Sequence, residues 1–235
     1  MKRFWENAAA GAEEGGFSVR LDGRPVRLPE GTRLVLPTAA LAAAVAAEWQ
    51  AAGGARGGEM SWADVPLTRL AGTTQVRIAP DPEPVVLELS RWAGSDLLCY
   101  RAETPSSLAE RQQREWQPVL DWAATRYGAA LVVTAGVMPV AQPPEALAAL
   151  AGAVARQPVA DLAALGVLVP ALGSLVLGLA VVEGRLTPGQ AWNLATLDER
   201  FEAEQWGCDP EAEQGRAAVA GEVALAARFL ALSRP

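Results

Sequence analysis

Four carboxylates and a tryptophan crowd into residues 198–206: Asp198, Glu199, Glu202, Glu204 and Trp206. Glu199 and Glu202 stand three positions apart, which on a helix puts both on one face. Such a pair can ligate Mg²⁺ when a second helix supplies matching acids. The sequence offers no second pair of that kind, so the chemistry left to these side chains is recognition. Carboxylates steer and pair with cations, and a tryptophan bordered by charge has the make-up of an interface anchor. Asp198, Glu199, Glu202, Glu204 and Trp206 are therefore the expected partner-binding residues, with no catalytic residue, metal ligand or cofactor assigned. The rival reading is a metal-dependent hydrolase using the acidic helix around Glu199 and Glu202.

Composition removes most other chemistries. The 235 residues include no histidine, which excludes Ser-His-Asp and Cys-His triads, histidine-ligated metals and imidazole acid–base steps. No GxxxxGK[ST] loop, GxGxxG turn or GxSxG elbow is present, so phosphate cradling and acyl transfer have no support. The formal charge of −7 opposes the counterion-release attraction behind nucleic-acid binding, and no nucleic-acid partner is expected. Cys99 and Cys208 have no CxxC partner; two reduced and mostly buried thiols are expected, with a single disulfide as the alternative. The start of the chain, Met1-Lys2-Arg3-Phe4-Trp5-Glu6, has no apolar segment of the kind a signal peptide needs.

The charge is unevenly placed. Residues 1–60 carry seven bases and seven acids, whereas residues 196–214 carry seven acids and only Arg200. Asp209, Glu211 and Glu213 follow an Asp-Pro helix start, where the helix dipole favours anions. The other four acids are predicted on the C-terminal turns of a helix running from Thr187-Pro188 to Trp206, where the dipole disfavours them, and Asp198 with Glu202 is a like-charge i,i+4 pair. Both a solvated acidic face and a binding surface fit that pattern.

The elements that must position these residues follow from periodicity. Phe17, Val19 and Leu21 alternate with polar residues, Asp22-Gly23 signals a hairpin, and Val26 and Leu28 form an edge strand on the return. Thr38 opens a helix with Leu41, Val45 and Trp49 on one face, the one helix expected in the first third. Beyond residue 82 the pattern turns helical. It includes an apolar-periodic segment over 85–92, a brief strand over 97–100 and a helix opened by a capping box, Ser107 to Glu110, that carries Trp116 and Trp122. Another helix follows Pro143-Pro144, and the last follows Asp209-Pro210. Trp92, Trp122 and Trp192 are expected in the core.

Residues 162–182 carry no charge and are long enough to span a bilayer. Gly166, Pro170, Gly173 and Gly178 interrupt them, and Asp161 and Glu183 close the ends. A broken helical hairpin buried in a helical core is predicted, with no stable membrane insertion; a membrane-attached protein is the competing reading. The expected fold class is α+β, with a small antiparallel β-rich domain over residues 1–81 and a mainly α-helical domain over residues 82–235.

Several segments together carry a resemblance. They are Arg3-Phe4-Trp5, Leu21-Asp22-Gly23-Arg24-Pro25, Glu48-Trp49, Pro66 to Ala71, Asp96 to Ala102, Gln113, Trp116-x-Pro118, Asp121-Trp122, Gly136, Gln142, Leu197-Asp198-Glu199 and Trp206-Gly207. In this order the chain resembles, over essentially its whole length, the assembly chaperones for the alpha subunit of the ATP synthase soluble catalytic head. The resemblance implies a β domain followed by a helical domain and no catalysis. It implies a monomer that binds the unassembled alpha subunit and shields its beta-facing interface until the beta subunit replaces it. It also implies a cytoplasmic location in bacteria and the mitochondrial matrix for eukaryotic relatives. Glu199 falls on the acidic position most typical of the family, whereas Glu202 stands where glutamine is common.

Overall fold

Two residues of positive φ, Asp22 (47°) and Gly23 (82°), close the hairpin that the sequence predicts. The computed structural model describes residues 1–234, which fall into two units: Met1–Pro82 with the C-terminal segment from Arg228, and Glu83–Ala227. In the first unit β1 (Ala8–Glu13), β2 (Gly16–Leu21) and β3 (Arg24–Pro25) form one antiparallel sheet in that order. β1 has no alternating apolar pattern to announce it, since its residues are mostly alanine, and it enters the sheet by pairing Ala8 with Leu21 and Ala10 with Val19. The return strand is shorter than predicted. Pro25 has no N–H to continue the ladder, and only the Val26 amide still bonds the Val19 carbonyl, at 2.8 Å. Val26 and Leu28 are nevertheless buried.

α1 (Ala39–Ala51) starts where predicted, with the Thr38 hydroxyl accepting from the Leu41 amide at 3.0 Å, and Leu41, Val45 and Trp49 are buried. A second helix, α2 (Pro66–Thr73), continues into a π-helical turn over Thr74–Ile78, which corrects the expectation of one helix in this region. Glu48 explains why α2 begins at Pro66. From α1 its carboxylate accepts the Leu67 amide at 2.8 Å and the Thr68 amide at 3.2 Å, capping α2 from another element, a signal no local pattern contains. The C-terminal segment belongs to this unit: the Thr38 hydroxyl donates to the Leu232 carbonyl, and Phe229 and Leu230 are buried.

The second unit is helical. α3 (Glu83–Arg91) is followed by 3₁₀ turns at Trp92–Ser95 and Leu97–Cys99, then β4 (Tyr100–Arg101), α4 (Ser106–Tyr127), β5 (Thr134–Ala135) and α5 (Pro144–Ala155). The strand expected over 97–100 is thus mostly a 3₁₀ turn, and β4 pairs in parallel with β5 over two residues each. The expected Ser107–Glu110 capping box does not form: α4 begins two residues earlier, at Ser106 after Pro105, without a side-chain cap. α6 (Val159–Leu172) and α7 (Leu175–Val182) are the predicted broken hairpin, turned at Gly173 (φ 63°). Every residue of α7 is buried, and no helix among the described residues is long and apolar enough to cross a membrane. The chain closes with α8 (Pro188–Ala195), α9 (Leu197–Trp206) and α10 (Pro210–Ser233), the last of which runs on into the C-terminal segment of the first unit.

The fold is α+β. Two side-chain expectations are corrected. Trp92, Trp122 and Trp192 are half-buried, while the tryptophans closed from solvent are Trp5, Trp49 and Trp116, each with its indole N–H bonded. The two thiols differ as well: Cys99 is buried and Cys208 exposed, and both are free.

Candidate functional site

The acidic segment is its own helix. The single helix predicted from Pro188 to Trp206 breaks at Thr196 (φ −105°, ψ 24°), whose hydroxyl donates back to the Trp192 carbonyl at 2.8 Å. A β-branched residue that bonds the preceding turn is a local reason for a helix to end there. The break revises the charge argument. Asp198 and Glu199 occupy the first turn of α9, where the dipole favours acids, and only Glu202 and Glu204 remain towards the disfavoured end.

Two consecutive residues of α4 tie α9 down. Gln112, itself buried, donates through Nε2 to Asp198 Oδ1 at 2.8 Å and accepts the Ala102 amide at 2.7 Å. Arg111 donates through Nη1 to Glu204 Oε2 at 2.7 Å and through Nε to Glu115 at 3.2 Å. The Arg111 bond holds the Glu204 carboxyl below its ordinary range. Burial pushes Asp198 the other way, towards the neutral form; Glu202 adds to that push, while the Gln112 bond and the Arg101 charge oppose it.

Of the five predicted residues, then, Asp198 is half-buried and turned onto Gln112, and Glu204 is exposed but committed to Arg111. Glu199 and Glu202 are exposed on α9 with no hydrogen bond or ion pair among the described residues. Trp206 is 80% exposed at the end of α9, where Gly207 (φ 87°) stops the helix. Asp209 caps the next helix, its Oδ1 accepting the Glu211 amide at 3.0 Å.

Beneath the acidic turn lies Arg101, a residue the sequence reading did not select. It is only 8% exposed, its guanidinium carbon sits 5.0 Å from the Trp116 ring centroid, and none of its three side-chain nitrogens has a hydrogen-bond partner. Trp116 and Gln112 are an i,i+4 pair on α4, and that spacing is the signal that could have brought the cluster into view. Cys99 nearby is neutral, its thiol pushed up to about 12 chiefly by burial.

The arrangement suits recognition of cations. Among the described residues no group of three or more Cys, Asp or Glu side chains is placed to hold a metal ion, which leaves the hydrolase reading without a ligand set. The exposed carboxylates of Glu199 and Glu202 and the bare indole of Trp206 put negative charge and apolar surface side by side in contact with solvent.

Known proteins share the sequence and the fold. Protein atp12, mitochondrial, of Schizosaccharomyces pombe is 24% identical over 226 residues, spanning 91% of this chain and 76% of that protein. The crystal structure of Atp12 from Paracoccus denitrificans superposes with a TM-score of 0.91 at 42% identity, covering 99% of this chain and 98% of that one. An aspartate-to-lysine mutant of P. denitrificans Atp12p matches with the same figures, TM-score 0.91 and 42% identity over 99% and 98% of the two chains. Residues 2–124 match the ATP12 chaperone protein family, and with a fold shared from end to end at this identity the chain belongs to that family.

Proposed function

We propose that this protein is a non-catalytic assembly chaperone for ATP synthase that binds the unassembled alpha subunit of the catalytic head. It shields the beta-facing interface of that subunit until the beta subunit takes its place. The observation that carries the reading is α9: two uncommitted carboxylates, Glu199 and Glu202, on a helix fixed at both ends by α4 and finished by a tryptophan 80% exposed. A free subunit exposes apolar surface that aggregates, and a temporary cover must bind it and still be displaceable. Exposed charge provides approach and orientation without the permanence of a large apolar interface. Glu199 and Glu202 are the cation-pairing residues, Trp206 is the apolar anchor, and Asp198 and Glu204 hold the helix that presents them. The chaperone works as a monomer in the compartment where the catalytic head is assembled, the cytoplasm of a bacterium.

The test is capture of the cognate alpha subunit by the wild-type protein and by the Glu199→Lys, Glu202→Lys double variant, in low and moderate salt. The double variant is expected to lose capture and to leave the alpha subunit aggregating, with wild-type capture weakening as salt rises. Unchanged capture at both salt concentrations rejects the acidic face as the docking site.

A further inference from the structure

We propose that Arg101 is the positioning residue of this acidic face: from beneath α9 its buried guanidinium supplies the counter-charge that keeps Asp198 turned inward on Gln112, so that α9 presents Glu199 from its first turn, and Glu202 from the turn after it, outward. The proposal rests on the docking role of α9 given above and adds a residue that touches no client.

Four observations converge on it. Arg101 is 8% exposed, and none of its nitrogens finds a hydrogen-bond partner, although a guanidinium carries five N–H donors and keeps its charge when buried. One face of that group is covered by the Trp116 ring, at 5.0 Å from its centroid, which fixes its position without neutralising it. Among the described residues, Asp198 is the carboxylate in electrostatic reach of it, and the Cys99 thiol, also in reach, is held neutral by burial. Finally, Asp198 has taken a neutral partner, Gln112 at 2.8 Å, in place of the cation.

The division of labour follows from bond geometry. An amide fixes the direction of a carboxylate but adds no compensating charge. Burial and Glu202 one turn on push the half-buried Asp198 carboxylate towards its neutral form, and that push is opposed by a nearby positive charge. Arg101 supplies it at a distance from β4, and Gln112 supplies the direction from α4. Without the cation, Asp198 gains by swinging to water, and the first turn of α9, which also carries Glu199, must shift with it.

The test is a double-mutant cycle read on capture of the alpha subunit and on thermal unfolding of the chaperone alone. Arg101→Met is expected to weaken capture about tenfold, whereas Arg101→Lys, which keeps the charge, stays within about threefold. Asp198→Asn placed in the Arg101→Met background restores capture, because asparagine still accepts from Gln112 and needs no counter-charge. A residue that only packs cannot be rescued that way. Equal capture by Arg101→Met and wild type, or no recovery in the double variant, overturns the proposal. If Arg101→Met does not fold, the cycle is run with Arg101→Gln. The unfolding midpoints judge the coupling without any client: additive shifts for the two substitutions overturn it even if the Glu199 and Glu202 variants have already removed the docking role of α9.

Discussion

Asp96 and Ser174, 78 positions apart, share a 2.7 Å hydrogen bond inside the second unit, where the Asp96 carboxylate also accepts the Leu98 amide at 3.1 Å and the Val176 amide at 3.0 Å. Ser174 in turn caps α7, its hydroxyl accepting the Leu177 amide at 3.0 Å. One fully buried carboxylate therefore ties the 3₁₀ turn at Leu97–Cys99 to the start of the most apolar helix in the chain. Removing it leaves buried donors unpaired. Asp96→Ala is expected to cost about 2–4 kcal/mol, measured by urea unfolding, with Ser174→Ala costing less, about 1–2 kcal/mol.

The same carboxylate gives stability a pH dependence of defined sign. Burial raises the Asp96 pKa above its ordinary value of 3.8, and the bonds from Val176, Ser174 and Leu98 only partly oppose that. A raised acid binds its proton more tightly folded than unfolded, so its contribution is complete below 3.8 and is lost as pH climbs through the folded value. Unfolding midpoints followed upward from pH 4 should show this loss in wild type and a flatter profile in Asp96→Asn. Parallel profiles would assign the dependence to other groups.

Close packing between α6 and α7 depends on Gly178. A Cβ there would lie 2.8 Å from Val169 Cγ2 and 3.2 Å from Leu165 Cδ2. Gly178→Ala should destabilise by about 1–3 kcal/mol, because the buried, β-branched Val169 cannot swing aside, and Gly178→Leu should cost more or prevent folding. Thermal unfolding of the two variants distinguishes graded overpacking from an indifferent position.

Trp206 separates stability from function. Its side chain is 80% exposed, so Trp206→Ala should leave the unfolding midpoint within experimental error. Under the proposed role as apolar anchor, the same substitution should weaken alpha-subunit capture by about tenfold or more, with little change in salt dependence. Loss of capture through a lowered midpoint would show instead that the ring is structural.

Much of this organisation is legible in the amino-acid sequence, and the failures have physical causes. Thr38, Pro144 and Pro188 mark helix starts because a cap or a missing N–H acts within a few residues. Gly173 marks the hairpin turn because a left-handed residue is cheap only for glycine. β1 and α2 escape notice because their partners are distant: one is held by pairing with β2, the other by Glu48 from α1. Thr196 hides the break before α9, since a single threonine inside a helical pattern is ordinary and only the path of the chain shows it ending one helix. The acidic residues themselves stand out, but their separate duties do not. Gln112 and Arg111, 86 and 93 positions from the acids they bind, decide that Asp198 and Glu204 are anchors while Glu199 and Glu202 stay free.

The C-terminal segment sets an order of events in synthesis. Thr38 must wait for Leu232, and the first unit includes the buried Phe229 and Leu230 from the far end of α10. The unit that begins the chain is therefore completed after the helical unit has left the ribosome, and its last contacts form only when residue 232 has been made. A fragment ending at Pro82 lacks those closing residues and should expose the apolar surface they cover.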